Sequence, residues 1–177
     1  MNKKFHFSEV RSAGKYEKGI QRSILSFKFR RLVQLQHPLS ALLHHQMRRH
    51  PFPFAPETIV AVPMFPSDER KRGYNQARLL AKRLSERLHL PCRSYALVKV
   101  KRTPPQEGSS KEERAKNVRD AFDIEKSCRS LFSDKTVLLV DDVLTTGSTV
   151  DECSAVLKRH HARRVYVATV ARTPEEQ

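Results

Sequence analysis

Thirteen consecutive residues, Val137–Thr149 with the sequence VLLVDDVLTTGST, constrain this chain more than any other stretch. They read as an apolar strand, two adjacent carboxylates, a hydroxyl-rich turn with one glycine, and the start of a helix. A helix start offers unpaired backbone N–H groups and the positive end of the helix dipole, which suits a phosphate. Gly147 allows a positive φ and a close backbone approach. Thr145, Thr146, Ser148 and Thr149 add hydroxyl donors. Asp141 and Asp142 can accept hydrogen bonds from the two hydroxyls of a ribose, as carboxylates do in other nucleotide sites.

The rest of the chain alternates strand-like and helix-like segments. Thr58–Pro63 is a short β-branched strand, and Asn75–His89 an amphipathic helix with Ala77, Leu80, Ala81, Leu84 and Leu88 on one face. Tyr95–Val100 is a further strand candidate. Thr136–Asp141 forms the apolar strand above, Thr149–His160 the following helix, and Arg164–Val170 a closing strand. Continuous apolar strands alternating with helices predict a parallel sheet covered on both faces. Ligands in such sheets sit beyond the carboxyl ends of the strands. In the first 50 residues, Ile20, Ile24, Leu25 and Phe27, then Leu35, Leu39, Leu42, Leu43 and Met47, recur at helical spacing, and Pro51, Pro53 and Pro56 end that region. The expected division is residues 1–56 as a basic, mainly helical region packed on the core, and residues 57–177 as the α/β domain.

Two other readings compete for the thirteen-residue segment. An apolar strand ending in two aspartates also describes a Walker B strand, although no GxxxxGK[ST] loop occurs in the chain. A plain strand–turn–helix with Thr149 as the helix cap would look similar. Position by position, however, the segment resembles the motif with which type I phosphoribosyltransferases bind 5-phosphoribosyl-1-pyrophosphate (PRPP). The resemblance implies that Asp141 and Asp142 hold the ribose hydroxyls and form the catalytic pair. It also implies that Thr145, Thr146, Gly147, Ser148 and Thr149 hold the 5-phosphate, with Mg²⁺ arriving alongside PRPP.

Other segments narrow the likeness. Ala61–Leu84 (AVPMFPSDERKRGYNQARLLAKRL), Arg102–Gln106, Glu113–Phe122 and the basic Lys15–Arg31 stretch resemble the ComF family, a phosphoribosyltransferase-like group tied to DNA uptake in naturally competent bacteria. This resemblance implies a type I phosphoribosyltransferase-like sheet flanked by helices, with a flexible hood loop at about 101–117. Val62, Pro63 and Met64 correspond to the loop that receives pyrophosphate, with Arg70, Lys71 and Arg72 close by. Arg102 and Arg114, with Lys101 and Lys111, would close over the diphosphate from the hood. For Arg72 and Arg114 an ordinary surface or cap role competes with that assignment. Many ComF proteins begin with a four-cysteine zinc knuckle, whereas here no cysteine precedes Cys92. Either the chain starts late or this branch lacks the module.

Charge speaks to the partner. Residues 1–60 hold 11 basic and 3 acidic side chains, residues 61–120 hold 15 and 7, and residues 121–177 hold 8 and 9. A basic two-thirds implies a polyanionic partner, with a solvated, solubility-giving surface as the plain alternative. Arg22, Lys28, Arg30, Arg31, Arg48 and Arg49 are the candidates for single-stranded DNA, interleaved with Phe5, Phe7, Tyr16, Phe27 and Phe29, with a core position as the alternative for Phe27. Cys92, Cys128 and Cys153 are odd in number and form no CxxC pair, which argues against a disulfide framework or a zinc site. Cys153 falls in step with apolar helix positions and reads as core. The pairs His44–His45 and His160–His161 read as surface positions ahead of chelates, and no metal ligand is assigned. No apolar run approaches the roughly 20 residues of a membrane span, and the start is unlike a secretory signal, so a cytoplasmic location is expected. Two functions follow: a PRPP-binding protein that handles incoming single strands beside other DNA-uptake proteins, or an active Mg²⁺-dependent transferase acting on an unidentified base or amine.

Overall fold

The computed structural model describes residues 5–103 and 117–174. Strand β1 (Glu9–Lys15) precedes helices α1 (Lys18–Phe29) and α2 (Gln36–Arg49). There follow β2 (Thr58–Ala61), α3 (Pro66–Arg72), α4 (Gln76–Leu88), β3 (Leu97–Lys99), β4 (Phe122–Ile124), β5 (Thr136–Leu144), α5 (Ser148–Arg159) and β6 (Arg164–Arg172). The main sheet has the order β1-β6-β5-β2, with every pair parallel. Val137–Val140 of β5 and Val165–Ala171 of β6 are buried throughout, as strands covered on both faces must be. α2 packs on α4, β1 and β6, α4 covers β5 and β2, and α5 lies on β5, β6 and β4. Each fully buried Leu or Ile contributes about 1.5–3 kcal/mol, so this sheet and its helices carry the fold.

The parallel α/β sheet agrees with the sequence pattern, with two differences. β1 lies inside the region expected to be helical, and it adds an outer strand by pairing Glu9–Lys15 with Tyr166–Arg172. β3 and β4 stand apart as a small antiparallel pair, Leu97 opposite Ile124 and Lys99 opposite Phe122, instead of extending the parallel sheet. They bracket residues 104–116, so all of the hood loop expected at 101–117 except its ends lies outside the described residues.

Local chemistry sets the elements around the cleft. Pro66 opens α3, and Gly73, at φ 94°, ends it in the left-handed conformation that glycine adopts without strain. Asn75 caps α4 by accepting the Arg78 N–H at 3.3 Å, while its own amide donates to the Val62 carbonyl at 3.0 Å. That nearly buried side chain therefore ties the start of α4 to the exit of β2. In α1, Ile24 and Phe27 are fully buried, and the Tyr74 hydroxyl donates to the Phe27 carbonyl, fixing the end of the helix. Phe27 is thus a core residue and not a stacking platform. Cys153 is buried as expected, and burial pushes its thiol well above the usual range.

Candidate functional site

β5 does not stop at Asp141 but runs to Leu144, with Asp141 in register with Thr169 of β6. The buried Thr169 hydroxyl lies 2.8 Å from that of Ser12 on β1, so polar side chains cross three strands near this end of the sheet. Alternation along a strand tends to separate neighbouring side chains. Here the Asp141 carboxylate folds back and accepts the Asp142 backbone N–H at 2.8 Å. Both aspartates line one cavity of about 390 Å³, together with Tyr16, Lys28, Thr145, Gly147 and Thr149.

Crowding two carboxylates together, Asp142 buried and Asp141 half-buried, has an electrostatic consequence. Burial first, and the Asp142 charge second, push the Asp141 pKa up to about 7, against the opposing pull of Lys28 and the Asp142 N–H. Lys28, from α1, places its Nζ 2.9 Å from Asp142 Oδ2, with side chains only 23% and 10% exposed. Burial works to lower the Lys28 pKa, but Asp142 and then Asp141 outweigh it and hold the ammonium charged.

The loop after β5 is short and rich in hydroxyls. Gly147 adopts φ 80° at the cap of α5, and its carbonyl accepts the Asp151 N–H at 2.8 Å. The Thr146 and Ser148 hydroxyls lie 3.0 Å apart, and Thr146 Oγ1 accepts the Ser148 N–H at 3.4 Å. Those two side chains hold the loop, while Thr145, Gly147 and Thr149 face the cavity. A methyl group on Gly147 would stand 3.4 Å from the Phe5 ring.

A wider cleft of about 780 Å³ adjoins this cavity and shares Lys28 and Thr149 with it. Its described lining includes the cations Arg31, Lys71, Arg72, Lys99 and Arg102, against the single acid Asp68, along with Met64 and Phe29. Arg72 donates to Gln76 Oε1 at 2.9 Å and lies 5.3 Å from the ring centroid of Phe29, which is 65% exposed. Burial lowers the Lys99 pKa, opposed by Asp68.

The structure therefore brings together Asp141, Asp142, Thr145, Gly147 and Thr149 in one cavity, and Met64, Lys71, Arg72 and Arg102 in the cleft beside it. Val62 and Pro63 line neither the cavity nor the cleft. Both backbone polar groups of Val62 are spent on Val140 and Asn75, and Pro63 has no N–H to offer. Arg70 lines a neighbouring cavity of about 460 Å³ with Glu69 and Arg78. Arg114 and Lys111 lie outside the described residues. Of the residues assigned to nucleic acid, Arg22, Arg30, Arg48 and Arg49 are exposed, the last two in the final turn of α2 where cations suit the helix dipole. Arg31 is exposed too but lines the cleft, and Lys28 is half-buried between cavity and cleft. Tyr16, Lys28, Arg31 and Lys99 are site residues that sequence reasoning did not place there. For Lys28 a signal existed, since it follows the core residue Phe27 and lies one turn beyond the core residue Ile24.

Among the described residues, no three of His, Cys, Asp and Glu come together to cage a metal. No helix among them is long and apolar enough to cross a membrane. Two adjacent carboxylates beside a phosphate-shaped loop do suit a hard cation that shares its coordination with ligand phosphates.

Comparison with known proteins shows the family of the chain. Residues 71–177 match the phosphoribosyl transferase domain family. The chain is 35% identical over 168 residues to competence protein F of Haemophilus influenzae, covering 90% of this chain and 70% of that protein. It is also 35% identical over 153 residues to DNA utilization protein YhgH of Escherichia coli, covering 85% and 66%. The chain thus spans about two thirds of the length of these relatives. Among solved structures, an adenine phosphoribosyltransferase overlaps 86% of this chain and 75% of its own, with 15% identity and a TM-score of 0.49.

Proposed function

Since this chain belongs to the phosphoribosyl transferase domain family, in its competence protein F group, we propose that it is a PRPP-binding protein that acts in DNA uptake and utilisation. The observation that carries this reading is the joining of two unlike cavities at Lys28 and Thr149. One offers carboxylates and a phosphate loop, which suit ribose 5-phosphate. The other offers a bank of cations, which suits the diphosphate on C1.

In this reading Asp141 and Asp142 accept the ribose 2- and 3-hydroxyls, and Thr145–Thr149 hold the 5-phosphate. Met64, Lys71, Arg72 and Arg102 surround the diphosphate. Mg²⁺ supplies charge neutralisation to that diphosphate when it is bound. Asp141 is the residue poised to exchange a proton near neutral pH, because burial and Asp142 bring its pKa to about 7. The exposed cations Arg22, Arg30, Arg48 and Arg49 supply a salt-dependent contact to single-stranded DNA in the cytoplasm, beside other DNA-uptake proteins. The names of the two relatives, competence and DNA utilization, support that setting.

The test is genetic. In a naturally competent host that carries this gene, Asp141→Asn with Asp142→Asn, expressed at the parental level, should reduce transformation to the level of a deletion. Parental transformation by that double variant would refute a PRPP-dependent role in DNA uptake.

A further inference from the structure

Among the described residues, Lys28 is the one cation that borders both cavities, and it is already engaged by Asp142. It comes from α1, ahead of residues 71–177 that match the transferase domain, so the family's domain alone would lack it. Its backbone is fixed: Ile24 and Phe27 are fully buried, and Tyr74 holds the Phe27 carbonyl. Its side chain is a flexible four-carbon stem that lines both cavity and cleft. The Asp142 oxygen that it occupies, at 2.9 Å, is one that a ribose hydroxyl would need.

Given the PRPP reading above, we infer that Lys28 is a counter-ion that changes partner, neutralising Asp142 in the free protein and swinging to the diphosphate when PRPP enters. The free site then never carries two adjacent carboxylates without a cation. Arrival of the ribose displaces the ammonium, which costs an ion pair. A ligand with a diphosphate restores that pair across the cleft, whereas a ligand without one does not. Lys28 is therefore a positioning and discriminating residue that makes the site prefer PRPP to ribose 5-phosphate.

The consequence is a loss of discrimination between two ligands, which a merely structural lysine would not produce. In calorimetric titrations of the full chain with Mg²⁺ present, Lys28→Gln should lower the ratio of PRPP to ribose 5-phosphate affinity by about tenfold or more, the worth of a charge-assisted contact. The same variant should bind ribose 5-phosphate a few-fold more tightly, because no ion pair is then displaced. Lys28→Arg, which keeps the charge, should recover most of the preference for PRPP and serves as the control for folding. An unchanged ratio of the two affinities in Lys28→Gln would overturn the inference while leaving the PRPP site intact. Failure of the parent protein to bind either ligand would overturn the PRPP reading itself, and the inference with it.

Discussion

Replacing Asp141 by asparagine should make the free protein more stable while disabling its site. The carboxyl has its pKa raised from 3.8 to about 7 in the folded chain, mainly by burial and then by Asp142. Below about pH 4 the acid is protonated in both the folded and unfolded states, and it costs nothing. Between pH 4 and 7 the unfolded chain has lost a proton that the folded chain retains, so stability falls as pH rises. Above pH 7 the cost is complete. A shift of about three pKa units corresponds to about 4 kcal/mol as a ceiling, and relaxation of Lys28 and solvent around the pair reduces it to about 2–4 kcal/mol. Asparagine keeps an oxygen to accept the Asp142 N–H now held at 2.8 Å, so little else is lost. For a chain of this size, Tm at pH 8 should rise by roughly 5–15 °C. At pH 4.5 the gain should shrink to about 1 kcal/mol. Thermal unfolding of both proteins across pH 4–8 is the assay. An Asp141→Asn protein less stable at pH 8, or a difference independent of pH, would refute the electrostatic account of this acid.

Gly147→Ala should destabilise the fold by about 1–2 kcal/mol, because its φ of 80° suits glycine and the added methyl meets the Phe5 ring at 3.4 Å. It should also weaken binding of ribose 5-phosphate at least about tenfold, since it distorts the loop that holds the phosphate; titration and thermal melting read the two effects separately. Phe29→Ala should leave Tm within about 1 °C, because the ring is 65% exposed. If Phe29 offers a stacking platform, the same variant should weaken single-stranded DNA binding by about 1–3 kcal/mol without altering its salt slope, as measured by fluorescence anisotropy at several salt concentrations.

The heart of the site was legible because it is local. Strand, acids, loop and helix start lie within Val137–Thr149, and each part needs only its neighbours to take shape. What failed to show was set by distant contacts. β1, with the sequence EVRSAGK, carries three charges and a glycine and has no clean alternation; pairing with β6, more than 150 residues later, makes it a strand. β3 and β4 are three residues each, too short for a period to appear. β5 runs past its aspartates because β6 offers partners as far as Arg172, and local polarity cannot report that. The inward turn of Lys28 escaped notice because a lysine on a basic helix resembles a solvated one, although its phase beside Ile24 and Phe27 pointed into the fold.

Calorimetric titration of the parent protein and of Asp141→Asn/Asp142→Asn with PRPP and Mg²⁺ tests the central claim most directly. The account predicts saturable, Mg²⁺-dependent binding of PRPP to the parent, and loss of that binding in a double variant that still unfolds cooperatively. Parental affinity in the double variant, or no binding of PRPP to the parent, would contradict it.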